Sequence, residues 1–182
     1  MGEGLKKKTE MKRQIPIPTH HANGEPTHWP EMILTTCKRK GLGGDWIDII
    51  RPDKIDQRGV CNEKYDLKIH HIVPADFECD PGDDIEFLAV TPEGEKFPFA
   101  PLVKCTSNQH LHIQYGIWTR RYRPWIDHSM LFSELSGLRA TSKELEFAKN
   151  EGFESMEELA NVHLASMNPF RGRLIHWTNK LY

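Results

Sequence analysis

The chain has 182 residues, of which 38% are hydrophobic and 27% are charged, with a formal net charge of −2. These values are typical of one globular domain, which at this length buries about 70% of the surface of its unfolded chain, so a wholly disordered protein is excluded. The sequence contains no run of about 18 apolar residues that would span a membrane and no apolar signal segment near its N-terminus. We therefore expect a cytoplasmic protein with no membrane partner.

The N-terminal segment is basic. Five cations stand against two acids within its first 13 residues: Lys6, Lys7, Lys8, Lys12 and Arg13 against Glu3 and Glu10. We predict a flexible basic arm over residues 1–14 and a single domain over residues 15–182. A short run of lysines is typical of a solvated tail, although it could also follow phosphates.

The first third of the chain predicts one helix between an extended lead-in and an irregular segment. Residues 15–28 are rich in Pro, Thr, His and Gly, as in an extended lead-in. Residues 27–40 have apolar side chains close to a helical period and precede Gly41, which predicts an amphipathic helix. Residues 42–66 show no sustained period, so we expect an irregular excursion over one face.

The middle of the chain predicts antiparallel strands. Alternating or continuous apolar runs cover residues 67–73, 85–90, 96–106 and 109–118. The turn sequence Pro81-Gly82-Asp83 separates the first two of these runs. Together they indicate a sheet built from short, sequential strands.

The C-terminal part returns to helices. Thr141 and Glu144 match a capping box, and so do Ser155 and Glu158, so we predict two short helices separated near Gly152. Residues 172–177 alternate in polarity and predict a strand that returns to the sheet. The order of the elements indicates an α+β domain.

Four passages, taken in order, resemble the ASCH family, with the closest likeness to phage and bacterial ASCH-like proteins of unassigned function. They are Gly24–Thr27, Lys68–Ile72, Pro81–Ile85, and the stretch from Asn150 through Ser155 to Phe170–Trp177. The resemblance implies a PUA-like fold, which is a mixed, mainly antiparallel β-barrel flanked by short helices. It covers most of the chain but leaves out the basic arm and the 42–66 excursion.

The resemblance also implies a cleft that binds RNA, nucleosides or modified bases. Some family members are acetylcytidine amidohydrolases, and Lys68 and Glu151 match their Lys and Glu. His71 and Val73 stand where those enzymes have a Thr nucleophile and an Arg. Because an imidazole does not replace a hydroxyl nucleophile, we expect His71 to act at most as a general acid or base. The candidate catalytic residues are Lys68, His71 and Glu151; alternatively, Lys68 and Glu151 form a structural ion pair.

A second candidate site is the stretch Trp118–Trp125, in which three arginines are interleaved with three aromatic residues. Guanidinium groups bind phosphates and aromatic rings stack on bases, as in proteins that bind single-stranded nucleic acid. The predicted nucleic-acid-binding residues are Arg120, Arg121, Tyr122, Arg123 and Trp125. The alternative is a strand, turn and strand with buried aromatics and solvated arginines.

Cysteine and histidine spacing does not predict a metal site. The four cysteines are far apart and form no Cys-x-x-Cys pair, so we expect reduced thiols. His110 and His112 share one strand face, but a zinc site needs three or four converging ligands. We predict no metal and no cofactor.

These observations predict a protein that binds RNA, single-stranded nucleic acid or a modified nucleoside in a basic cleft. One alternative is an enzyme, either a nucleoside amidohydrolase or a ribonuclease, that uses Lys68 and Glu151. Another alternative is a phage or bacterial protein-interaction module whose contact surface is the 42–66 excursion.

Overall fold

The computed structural model describes residues 11–43, 51, 53–117, 121–127, 129–130, 142–164 and 169–179. Within these ranges the chain forms nine strands and four helices. In chain order they are β1 (Lys12–Pro18), α1 (Trp29–Lys40), α2 (Gln57–Cys61), β2 (His70–Pro74), β3 (Asp84–Val90), β4 (Lys96–Pro98), β5 (Val103–Lys104), β6 (Ser107–Gly116), β7 (Arg121–Ile126), β8 (Ser129–Met130), α3 (Ser142–Asn150), α4 (Met156–Leu164) and β9 (Phe170–His176). The predicted α+β class is confirmed.

The first sheet has the order β1-β3-β4, with β5 also paired to β3. β1 and β3 are parallel, from Lys12 opposite Asp84 to Pro18 opposite Val90, whereas β4 and β5 run antiparallel to β3. Ile15 and Ile17 are fully buried on one side of β1. The prolines of β1 are tolerated because an edge strand does not need every backbone donor.

Strand β1 refines one expectation from the sequence and corrects another. Residues 15–18 of the extended lead-in form a regular strand, and residues 12–14 are not part of a flexible arm, because both segments belong to β1. The predicted boundary at residue 14 is therefore wrong. Residues 1–10, which carry the other lysines of the arm, lie outside the described residues.

The second sheet is antiparallel throughout and has the order β2-β9-β6-β7-β8. β9 lies between β2 and β6, which confirms that the C-terminal strand returns to the sheet. The described strands thus form two separate, mostly antiparallel sheets, and no closed barrel is found among them. β2 begins at His70, three residues later than the apolar run predicted.

The two sheets share one hydrophobic core with the helices. Inward residues alternate along β3 and β6, where Ile85, Phe87, Leu111 and Ile113 are buried. α1 is buried along most of its length and ends at Gly41, whose φ of 61° fits a glycine cap. The predicted helix over residues 27–40 is therefore confirmed, apart from two residues at its start.

The two C-terminal helices also form where the sequence predicts them. Ser155 Oγ accepts a hydrogen bond from the backbone N–H of Glu158 at 3.2 Å, which confirms the serine half of the second capping box. The Glu158 carboxylate accepts from Glu154 N instead of the capping residue itself. Thr141 of the first predicted capping box lies outside the described residues.

The described part of the 42–66 excursion is more ordered than predicted. It contains α2, which starts where Asp56 Oδ1 accepts a hydrogen bond from Gly59 N at 2.9 Å. Ile55 and Val60 are buried in the core, so this segment covers α1 and is not a loose insertion. Of the described helices, none is long and apolar enough to cross a membrane.

Candidate functional site

Lys68 and Glu151, 83 residues apart in sequence, meet inside the protein. Lys68 Nζ lies 2.8 Å from Glu151 Oε2, and both side chains are fully buried. Lys68 stands just before β2, where its backbone N–H donates to Thr36 Oγ1 of α1 at 2.9 Å. Glu151 directly follows α3. The two residues that the sequence singled out are therefore in contact.

Histidines surround the Glu151 carboxylate. His71 Nδ1 lies 3.7 Å from Oε2, so His71 joins Lys68 and Glu151 as predicted. His70 Nε2 lies 2.9 Å from the other oxygen, and the His176 ring centre is 5.3 Å from that of His70. The sequence pattern did not predict a place here for His70 or His176. The adjacent pair His70-His71 was the signal available for His70. Adjacent residues within a strand point to opposite faces, but β2 only begins at His70, so both side chains can reach Glu151.

Trp29 closes one side of this cluster. Its indole N–H donates to the backbone carbonyl of Glu151 at 2.7 Å, and Lys68 Nζ lies 5.0 Å from the centre of its ring. Gly152 has a φ of +83°, and a Cβ there would lie 2.6 Å from Trp29 Nε1. Glycine at this position therefore permits both the turn after α3 and the close approach of Trp29.

The electrostatics of the cluster favour a charged Glu151. Burial of its carboxyl group opposes ionisation, but the charge of Lys68 and the hydrogen bonds from His70 and His71 outweigh burial and hold the pKa of Glu151 well below its usual range. Burial lowers the pKa of Lys68, and Glu151 opposes that shift. Burial also lowers the pKa of His71. We take the pair as Lys68 charged and Glu151 charged, with a neutral His71.

A large groove runs beside the cluster. It has a volume of about 1220 Å³, and its wall includes Ile69 and Asn150 but neither Lys68 nor Glu151. Its charged lining residues are four cations and two acids: Arg39, Lys40, Lys104 and Lys149 with Asp66 and Glu146. The groove is thus basic, but the buried cluster does not open into it. In this arrangement Lys68 and Glu151 act as a structural ion pair that joins the chain before β2 to the end of α3.

The second predicted site lies on the outer face of the antiparallel sheet. Residues that pair directly across antiparallel strands point to the same face. The pairs are Arg123 with Gln114, Trp125 with His112, His112 with Arg171, and His110 with Arg173. Arg121, which pairs with Gly116, extends the same face. We call these side chains of β7, β6 and β9 the arginine face.

The arginines on this face are mostly available to a ligand. In the described part of the chain, Arg121, Arg123 and Arg171 form no ion pair, whereas Arg173 donates to Ala75 O and Asn108 Oδ1. Burial and the charge of Arg171 lower the pKa of His112, so this imidazole is neutral near pH 7. The paired positions of this face include no acidic residue, but Asp127 borders it, where its carboxylate accepts hydrogen bonds from the His110 backbone N–H and from Gln109 Nε2.

The opposite face of the same strands packs on the core. Pro124 and Ile126 are buried there. Tyr122 also lies on that side, partly buried against the core, with its ring centre 5.0 Å from that of Tyr115. The structure therefore brings Arg121, Arg123 and Trp125 together and separates Tyr122 from them. Arg120 lies outside the described residues.

The β9 arginines are the part of this face that the sequence analysis missed, and it placed His110 and His112 on one strand face without linking them to the arginines. Arg171 and Arg173 are about 50 residues from β7 in sequence, so no local pattern links them to it. No protein-family model matches the chain, and no curated protein or solved structure matches it. The function is therefore inferred from the geometry of these two sites.

Proposed function

We propose that this protein binds single-stranded nucleic acid, and RNA in particular, on the arginine face. The observation that carries the proposal is the set of four arginines, two histidines and one tryptophan on a single outer face of the sheet. Three of the arginines have no ion pair in the described part of the chain, so their charge is available for phosphates.

The geometry of a sheet suits an unpaired strand of nucleic acid. Neighbouring strands are about 4.8 Å apart, and side chains on one face follow one another about 6.6 Å apart along a strand. Cationic and aromatic groups are thus offered side by side on a shallow, open surface. Unstacked bases can lie on Trp125 while phosphates meet the guanidinium groups, which is how sequence-tolerant single-strand binders work.

We further propose that the chain is an ASCH-like protein with a PUA-like architecture. This proposal is supported by the contact between Lys68 and Glu151, the two residues that match the amidohydrolase motif. The basic groove beside them is a second candidate surface for RNA or a nucleoside. Because both side chains are fully buried, we favour binding over hydrolysis through these residues.

The test of nucleic-acid binding is a pair of double variants matched in charge. Arg121→Ala with Arg123→Ala removes two cations from the face, whereas Lys54→Ala with Lys96→Ala removes two exposed cations elsewhere. Binding of a labelled single-stranded RNA is measured by fluorescence anisotropy over a series of salt concentrations. The arginine variant should bind more weakly, and its salt slope should fall by about 0.7 for each phosphate that the protein no longer neutralises.

The lysine variant should keep the affinity and the salt slope of the unchanged protein. Equal losses in both variants would show attraction by bulk charge only and would refute a site on the sheet. If Lys40→Ala with Lys149→Ala abolished binding and the arginine variant did not, the site would be the groove.

A further inference from the structure

A small pocket opens on the arginine face at the end of β6. It has a volume of about 290 Å³ and is lined by Gln114, Tyr115, Gly116, Ile117, Arg123 and Trp125. Pockets for small molecules usually measure roughly 300–1,000 Å³. This one lies at the lower limit, so it suits a single base better than a run of nucleotides.

A glycine lines this pocket. Gly116 pairs directly with Arg121 and lies two residues from Gln114, so all three positions share one face of the sheet. A glycine in a strand adds no side chain and often marks a place where a ligand comes close. Gly116, Gln114 and Trp125 all line the pocket.

The polar groups of the pocket have complementary hydrogen-bonding roles. Arg123 and Gln114 are directly opposite each other on β7 and β6. A guanidinium group only donates, in a planar fork, whereas a carboxamide can both donate and accept. The pocket wall therefore includes a row of donors directly beside an acceptor, together with the aromatic ring of Trp125.

Guanine fits these groups better than the other bases do. Its O6 and N7 are neighbouring acceptors that match the arginine fork, and its N1–H and N2–H donors can meet the Gln114 carbonyl oxygen. Adenine and cytosine present an amino group where guanine has O6, so a donor would face the guanidinium group. Uracil has a carbonyl oxygen but no N7, so it loses the second bond.

From this arrangement we propose that the pocket selects a guanine base within the bound single strand. Arg123 binds the O6 and N7 edge, Gln114 accepts from N1–H and N2–H on the adjoining edge, and Trp125 stacks on the ring. This inference rests on the proposed function, because it assigns a base preference to the same face. The other arginines of the face bind phosphates and do not distinguish one base from another.

The experiment compares four labelled 12-residue RNA strands that are uridine throughout except for G, A, C or U at one central position. Affinities are measured by anisotropy at one salt concentration. The unchanged protein should bind the G strand roughly tenfold more tightly than the others, as expected for one bidentate base contact. Arg123→Lys keeps the charge but not the fork, so it should lose the preference and keep its affinity for the all-uridine strand.

Arg58→Lys is the matched control, because Arg58 is exposed on α2 and belongs neither to the arginine face nor to the pocket. It should retain the preference for G. Equal binding of all four strands by the unchanged protein would overturn the guanine pocket and leave the proposed function standing. Failure to bind any of the four strands would overturn both the guanine pocket and the proposed function. A preference for G that survives Arg123→Lys would overturn the role of Arg123 and, with it, the guanine pocket.

Discussion

At the scale of single residues, the ion pair between Lys68 and Glu151 depends on the groups around it. Two charges removed from water are stable only when hydrogen bonds replace the lost solvent. His70 and His71 lie against the two oxygens of Glu151, and Lys68 Nζ lies 3.4 Å from the carbonyl oxygen of Asn150. Removing one charge therefore leaves the other buried and uncompensated.

The first residue-scale prediction is that Glu151→Gln strongly destabilises the fold. The substitution keeps the shape of the side chain but leaves Lys68 charged without a counterion. Breaking one side of a buried pair usually costs about 3–5 kcal/mol of unfolding free energy. Urea denaturation followed by circular dichroism measures the loss. A loss below about 1 kcal/mol would show that Lys68 is neutral or reaches solvent.

The second residue-scale prediction concerns pH. Burial lowers the pKa of His71 in the folded protein, although its hydrogen bond to Glu151 opposes that shift. The nearby charge of Lys68 and the ring of His70 also disfavour a second positive charge. The unfolded chain therefore binds a proton below about pH 6.5 that the folded protein does not bind. This contribution to stability is complete above that pH and decreases as the pH falls.

The measurement is the unfolding free energy between pH 7.5 and pH 5. One histidine contributes a slope of at most about 1.4 kcal/mol per pH unit. His71→Gln removes the titrating group, so its slope over this range should be smaller than that of the unchanged protein, whatever its absolute stability. Identical slopes would mean that His71 takes up its proton without unfolding.

At the scale of helices and strands, the sequence correctly predicted those elements whose ends depend on residues close to them in the sequence. The α1 helix ends at Gly41 and α4 begins after Ser155 because caps and periodicity are properties of neighbouring residues. β1 was not predicted as a strand because it contains Pro16 and Pro18, and proline is disfavoured in most strands. Its partner β3 also lies 72 residues away, as the bond between Gln14 and Glu86 shows.

The same reasoning explains what could be predicted of the two sites. The resemblance placed Lys68 and Glu151 together, and the charge pattern pointed to Arg121, Arg123 and Trp125. The arginines of β9 join that face only through the pairing of β9 with β6, which no local pattern specifies. The sequence analysis grouped Tyr122 with the arginines because it lies between Arg121 and Arg123 in the sequence. Adjacent residues of a strand point to opposite faces, so Tyr122 points away from them.

The element-scale prediction compares two N-terminal truncations. A chain that begins at Ile15 loses the first part of β1, including Arg13 Nε and Met11 N as donors to the buried Asp83 carboxylate. Each lost hydrogen bond contributes about 1 kcal/mol, so a loss of about 2–3 kcal/mol is expected. The melting temperature should fall by roughly 5–10 °C.

A chain that begins at Met11 is the reference for this comparison, because it keeps the whole of β1. Thermal unfolding of both chains is followed by circular dichroism. Equal melting temperatures would show that the pairing of residues 12–14 with β3 adds nothing to stability.

At the scale of the whole molecule, charge is unevenly distributed. The chain carries a formal net charge of −2, and the four arginines of the arginine face contribute +4. The rest of the chain therefore sums to −6. A nucleic acid is attracted to the side of the protein that carries these arginines. Their position therefore determines the orientation of the bound nucleic acid as well as the affinity.

The whole-molecule prediction separates net charge from local charge. Glu93→Lys, in the exposed turn between β3 and β4, raises the net charge from −2 to 0 without touching the arginine face. At 0.15 M salt the screening length is about 8 Å, so the affinity for single-stranded RNA should stay within about twofold. Anisotropy titrations provide the measurement. A large gain in affinity would mean that attraction is not localised on the face.

The position of β9 also determines the order in which the molecule can be assembled. β9 is the last strand in the sequence but lies between β2 and β6, so the pairing of His70 with His176 spans more than half of the chain. Among the described strands β2 pairs only with β9, so during synthesis it has no such neighbour until β9 has been made. Long-range pairings of this kind slow folding and leave strand edges exposed in the meantime. The arginine face and the buried Lys68 cluster therefore become complete in the same late step, when one strand enters the middle of the sheet.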